Sequence, residues 1–180
     1  VCSSDLVAHC PCSNMRLGSG ILPLRRLIDA QVPVGLGVDG SASNDGAHML
    51  GEARQAMLLA RVLKGMEPFG CDHGPAQMTP RDVLRLATRG GAQVLGRAHD
   101  LGQIAPHYCA DLALFRLDTV AMAGAAVHDP VGALLLCASP HADYTIVHGR
   151  VLVREGQLTS VELPPLVERH NAMAKALVRG

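Results

Sequence analysis

Aromatic side chains are nearly absent from this sequence: it has no tryptophan, two phenylalanines and two tyrosines in 180 residues. A core made without them must come from Leu, Val, Ala and Met, packed by close interdigitation of small groups. Net charge is absent too, because 16 basic residues balance 16 acidic ones. With no basic stripe interleaved with aromatics, nucleic acid and anionic membrane surfaces are not expected partners. No apolar run is long enough to span a bilayer and no signal peptide is visible, so the most apolar stretch, VGALLLCA (131–138), is expected to be a buried element. The six cysteines, at 2, 10, 12, 71, 109 and 137, lack any framework spacing. They read as reduced, buried thiols of a cytoplasmic protein, and a disulfide framework is disfavoured. There is no initiating methionine, and residues 1–6, VCSSDL, have no periodicity. They are expected to be non-native or disordered, in a chain that begins in mid-fold.

What is present is globular: 48% hydrophobic and 18% charged residues, enough for one sizeable core. VAHC (7–10) reads as a short strand, PCSNMRLGSG (11–20) as a loop and ILPLRRLIDA (21–30) as a helix. A second apolar strand, VGLGV (34–38), follows. Strand, loop, helix and strand in that order, with continuously apolar strands, predict a parallel sheet covered by helices. HMLGEARQAMLLARVLKG (48–65) predicts a long helix with Gly65 as its C′ residue, before a turn-rich connector over 66–78. Thr79-Pro80-Arg81-Asp82 supplies an N-cap, a proline at the first helical position and a first-turn acid. It opens a helix through VLRLAT, and a second short helix is expected after the Gly90-Gly91 break. From about 100 the pattern turns to strands, at 111–117, 143–149 and 150–156, the last two joined across His148-Gly149. A terminal amphipathic helix, 164–179, carries Leu166, Val167, Met173, Ala174 and Leu177 on one side. So few strands cannot stand as a sheet alone, and partner strands are expected from outside the chain.

VGLGVDGSASND (34–45) carries the strongest chemical signal: an apolar strand ends on Asp39 and only small or polar residues follow. Asp39 either caps the turn or stands at the mouth of a site, and the residues alone leave both open. His9, ending the preceding strand, strengthens the second reading, against that of a satisfied core histidine. Ser13 and Asn14 are expected to form turns. His9, Cys10 and Cys12 lack a second ligand pair at zinc-finger spacing, and the remaining histidines do not cluster. Asp111 is expected to fix the start of a strand, and Glu168 to Asn171 to form a packing or solvated face.

VAHCPCSN (7–14) and VGLGVDGSASN (34–44) together resemble the amidohydrolase superfamily. The matching branch contains guanine, 8-oxoguanine and S-adenosylhomocysteine deaminases and triazine hydrolases, whose strands end H-x-P-x-S-N and G-x-D-x-x-x-S-N. LGQIAPHYCADLALFRLD (101–118) resembles the branch's G-x-I-x-P-G-x-x-A-D-L segment, with His107 where the branch has glycine. LPPLVERHNAMAKAL (163–177) is most similar to 8-oxoguanine deaminases and hydroxydechloroatrazine ethylaminohydrolases.

The resemblance implies an α/β chain: the C-terminal part of a (β/α)8 TIM-type barrel (7–99), an incomplete β-sandwich (100–162) and a terminal helix (163–180). It implies Asp39 as metal ligand and catalytic carboxylate, and His9, Ser43 and Asn44 on the substrate side. The cofactor would be zinc, its other ligands preceding residue 7, and the reaction hydrolytic deamination of a small amino-heterocycle. 8-Oxoguanine leads as substrate, with guanine or S-adenosylhomocysteine deamination and triazine hydrolysis as alternatives. A catalytically incompetent truncated chain is the other alternative. The residues themselves do not give the oligomeric state; the resemblance leaves a homodimer open, since dimers are common in the family.

Overall fold

In the computed structural model, residues 5–67, 77–137 and 141–179 are described. The chain forms two compact units, one of residues 1–108 and 117–139, the other of residues 109–116 and 140–180. The expected β-rich segment 100–162 thus contains two helices, Ala125–His128 and Pro130–Leu136, that cluster with the first unit.

The first unit is built on two parallel strands, β1 (Val7–His9) and β2 (Val34–Leu36), in the register Val7↔Val34, Ala8↔Gly35, His9↔Leu36. The chain between them makes two helices, α1 (Pro11–Leu17) and α2 (Leu24–Asp29). The expected loop at 11–20 is therefore largely helical. Pro11 presets the first helical φ, and Gly18 (φ 65°) ends the helix in the left-handed region, where glycine carries no Cβ penalty. The apolar pattern is silent here because α1 buries only Pro11 and Ser13 while Met15 and Leu17 face solvent.

Helix α3 (Met49–Gly65) starts at His48, whose Nδ1 accepts from Gly51 N at 3.1 Å. It buries Leu50, Ala53, Ala56, Met57 and Ala60, and Glu52 among them. Gly65 is the last helical residue and not a left-handed C′ residue, since Met66 forms the C-cap in right-handed conformation. The expected connector at 66–78 falls mostly outside the described residues.

Thr79 and Asp82 form the capping box that opens α4 (Pro80–Arg85), each satisfying the other's backbone N–H. The Gly90-Gly91 pair does not break the helix. A π-helical turn (Leu86–Gly90) leads straight into α5 (Gly91–Val94), with Gly90 and Gly91 both at helical dihedrals. The glycines serve a close approach instead. A Cβ on Gly90 would lie 2.2 Å from the Val34 carbonyl oxygen, and one on Gly35 would lie 2.9 Å from Gly91 Cα. Helix backbone thus rests directly on β2, a distance no side chain permits. The expected buried element at 131–138 is a helix: α6 (Ala125–His128) is followed by α7 (Pro130–Leu136), which buries Ala133 and Leu135.

The second unit is an antiparallel sheet of four strands, in the order β3 (Leu112–Leu114), β4 (Tyr144–Val147), β5 (Arg150–Arg154) and β6 (Gln157–Leu158). The expected hairpin turn is present, with His148 at φ 49° and Gly149 at φ 78°, the double positive φ that suits the strand twist. Asp111 Oδ1 accepts from His148 N at 2.6 Å, tying the start of β3 to that turn as expected. Helix α8 (Leu163–Arg179) exposes Leu166, Val167, Met173 and Leu177. No helix among the described residues is long and apolar enough to cross a membrane.

The glycine contact yields a stability prediction. Gly90→Ala should cost about 2 kcal/mol or more through forced backbone displacement. Gly65→Ala, with open space around it, should be neutral or stabilising by up to about 1 kcal/mol. Thermal unfolding followed by circular dichroism separates the two; equal midpoints would contradict the packing described.

Candidate active site

The site grows from the two strand ends. Past Leu36 the chain leaves β2 and reaches Asp39, whose φ of 62° is unusual for a residue with a Cβ. Three donors hold its carboxylate: Ser13 Oγ donates to Oδ2 at 2.6 Å, Ser43 Oγ to the same atom at 2.8 Å, and Gly40 N to Oδ1 at 2.8 Å. Those donors, Ser13 first, then Ser43 and the Gly40 amide, hold the Asp39 carboxyl below the usual carboxylate range. Asp39 is exposed and ionised at neutral pH, while Ser13, expected only to form a turn, is 2% exposed and points its hydroxyl at it. Asp39 thus shapes the turn, as one of its two readings expects, and the same hydrogen bonds hold its exposed carboxylate in place.

Beneath this turn lies a second carboxylate that the sequence reading passed over. Glu52 is 1% exposed. Its Oε2 accepts from Cys12 N at 3.0 Å and its Oε1 from Asn44 Nδ2 at 2.5 Å. Asn44 also donates to the Val38 carbonyl at 2.7 Å and accepts from Gly46 N at 3.0 Å, so its side chain is engaged entirely within the loop and α3. Burial and then the Glu52 contact push the Cys12 thiol up to about 12. Cys10 is raised as well, by burial and by the Asp39 and Glu52 charges. Neither is a thiolate nucleophile near neutrality. None of Cys10, Cys12, Cys109 and Cys137 is in a disulfide.

His9 is 4% exposed, and its Nδ1 is buried without a hydrogen-bond partner. Burial lowers its affinity for a proton and the Glu52 charge only partly opposes this. Of the four residues singled out from sequence, Asp39, Ser43 and Asn44 form one hydrogen-bonded loop, and His9 lies within the electrostatic reach of Glu52 that this loop also contacts. A signal for Glu52 was present: it falls four residues before Ala56 and eight before Ala60, on the buried stripe of α3.

No group of three or more His, Cys, Asp or Glu side chains able to hold a metal ion occurs among the described residues. Asp39 offers one carboxylate where zinc takes about four ligands. The residues present therefore do not fit a zinc site of their own.

Two parallel strands are joined by a helical crossover, with His9 ending β1 and the Asp39 turn following β2, so polar side chains gather past the strand C-termini, the end where βα folds carry their working residues. The chain belongs to the amidohydrolase family, whose sequence model matches residues 1–151. It is 48% identical over 174 residues to the 8-oxoguanine deaminase of Pseudomonas aeruginosa, which covers 97% of this chain and 36% of that protein. It is 36% identical to an isoxanthopterin deaminase from an unknown prokaryotic organism, over 96% of this chain and 37% of that protein. Among solved structures, an adenosine deaminase from Xanthomonas campestris with bound zinc superposes with a TM-score of 0.86 at 27% identity, over 97% of this chain and 38% of that one. An atrazine chlorohydrolase from Arthrobacter aurescens complexed with zinc gives a TM-score of 0.80 at 38% identity, over 92% of this chain and 35% of that one. The chain thus spans a little over a third of the length of these curated relatives.

The environment of His9 gives a pH prediction. Its proton affinity is lowered in the folded state, so the unfolded chain binds more protons below the ordinary value of 6.5. Stability contributed by the neutral form is full above that pH and is lost as pH falls towards the folded value. Urea midpoints should decline as pH falls below 6.5, and His9→Gln should flatten that decline. An unchanged slope in the variant would refute the assignment.

Proposed function

We propose that this chain supplies the last two strands of a (β/α)8 barrel in a metal-dependent aminohydrolase, with Asp39 as its working carboxylate. The parallel pairing of β1 with β2 across a helical connection supports the barrel reading. The observation that carries the chemistry is Asp39 itself, a solvent-facing carboxylate fixed by Ser13, Ser43 and Gly40 at a strand end. The substrate class is a small amino-heterocycle. 8-Oxoguanine leads because the relative at 48% identity is an 8-oxoguanine deaminase, and the triazine hydrolases among the structural neighbours favour the same ring chemistry.

In this reading water adds to the amino-bearing ring carbon, the carbon–nitrogen bond breaks, and urate and ammonia leave. A divalent metal such as zinc, held mainly by residues outside this chain, would make that water acidic near neutral pH. The chain's own part is proton transfer and positioning. Oδ2 of Asp39 is occupied by two hydroxyls, whereas Oδ1 accepts only the Gly40 amide. Oδ1 therefore has the free lone pair to take the proton from water and return it to the departing amine. Ser43 sits on the exposed loop while Asn44 is spent on the interior, so substrate contact falls to Ser43 and Asn44 holds the loop. The buried Nδ1 of His9, without a hydrogen-bond partner at the end of β1, supports a part for it in the same site.

A second reading, a chain without catalysis of its own, is favoured by the missing ligand group among the described residues. The two readings make a joint prediction. The 180-residue chain, dialysed against zinc, should retain well below one ion per chain and release no ammonia from 8-oxoguanine. A full equivalent of zinc by metal analysis would overturn this. In a protein carrying this chain behind the family's first six barrel strands, Asp39→Asn should reduce ammonia release by about 10²-fold or more, the scale of losing a general acid–base group. The circular dichroism spectrum should be unchanged. Activity retained in that variant would remove Asp39 from the chemistry.

A further inference from the structure

We propose that Glu52 is a positioning residue for Asp39: its buried carboxylate closes a hydrogen-bonded circuit that holds both segments flanking the Asp39 turn against α3. The circuit can be followed atom by atom. Glu52 Oε1 receives Asn44 Nδ2 at 2.5 Å, and the same amide reaches the Val38 carbonyl at 2.7 Å, one peptide before Asp39. Asp39 Oδ2 receives Ser13 Oγ at 2.6 Å, and Ser13 adjoins Cys12, whose N–H returns to Glu52 Oε2 at 3.0 Å. One arm fixes the backbone carrying Asp39; the other fixes the hydroxyl that orients its carboxylate.

The chemistry at the centre of the circuit admits few substitutes. Both Glu52 oxygens face donors, so the glutamine isostere presents an NH2 to one of them and leaves that donor unpaired. Aspartate keeps the charge but is one methylene too short to bridge both arms. The carboxylate is 1% exposed, so water cannot replace a lost partner without entering the core. A side chain serving only to pack would have no reason to carry charge on the buried stripe of α3.

The catalytic consequence rests on the role of Asp39 proposed above, but the circuit is testable without turnover. The intact chain is compared with Glu52→Gln, Asn44→Ala and, as a control, Val83→Ala, which empties space in the same unit and removes no hydrogen bond of the circuit. Hydrogen exchange is read at Cys12 N–H and Gly46 N–H. Each arm should report on the other: Asn44→Ala speeds exchange at Cys12, which it does not touch, and Glu52→Gln speeds exchange at Gly46, by about tenfold each for loss of about one hydrogen bond's worth of coupling. Val83→Ala should shift neither selectively. Iodoacetamide alkylation at pH 8.5 should accelerate at Cys12 by about three- to tenfold in Glu52→Gln, with the exposed Cys137 unchanged. Unaltered exchange in both circuit variants, or equal acceleration in Val83→Ala, would overturn the proposal. Should Glu52→Gln not fold, Asn44→Ala and the unmodified chain still decide: Cys12 alkylated as fast as Cys137 in the latter contradicts the Glu52 contact. Intact circuit readouts beside an active Asp39→Asn protein would remove the function and leave the circuit standing.

Discussion

The first unit depends on one buried carboxylate having its partners. Isolating the charge of Glu52 in a core of Ala, Leu and Met would cost several kcal/mol, and an unpaired version would not persist. It persists because Cys12 N–H and the Asn44 amide arrive from two different strand-end segments. The requirement works in both directions. The segments 10–14 and 38–46 have few apolar groups with which to anchor themselves, and α3 gives them a fixed electrostatic point. A loop of small residues is thereby ordered without bulk, which is what leaves Asp39 open to solvent.

The glycines make the complementary contribution. Val34, Gly35 and Leu36 are all buried, and Gly90 and Gly91 bring helix backbone against them. With almost no aromatics to fill space, close backbone approach is how this chain attains packing density. It also explains the π-helical turn at Leu86–Gly90: the wider turn delivers the two glycines to β2 without ending the helix. At His107 a similar demand is met without glycine. The turn keeps a φ of 70° although its side chain is histidine, so the local backbone follows the chain's path and tolerates the residue.

Much of this was legible in the sequence. The two strands, α3, the Thr79 cap, the hairpin at His148-Gly149 and the anchoring role of Asp111 follow from periodicity and turn chemistry. What was not legible shares one physical trait: it depends on contacts distant in sequence. Helix α1 shows almost no apolar face because it is held by its ends and by Ser13. Gly90-Gly91 reads as a break until a strand is placed beneath it. Ser13 reads as a turn-former until Asp39, 26 residues on, is brought to its hydroxyl. Glu52 carries no sequence motif, although its spacing to Ala56 and Ala60 places it on the buried stripe. For the site, Asp39 and its loop could be found from sequence, but the atoms that orient them could not.

The two carboxylates divide one task by environment. Asp39, exposed and hydrogen-bonded, stays ionised in water, as the proton-acceptor role proposed for it requires. Glu52, enclosed, holds Cys12 N and Asn44 Nδ2 and is linked to Asp39 by way of those neighbours, Ser13 and the backbone. If their environments were exchanged, the buried group would be inaccessible to a reacting water and the exposed one could not hold two segments in place. In the proposed reading, access to solvent and not charge alone singles out the working carboxylate.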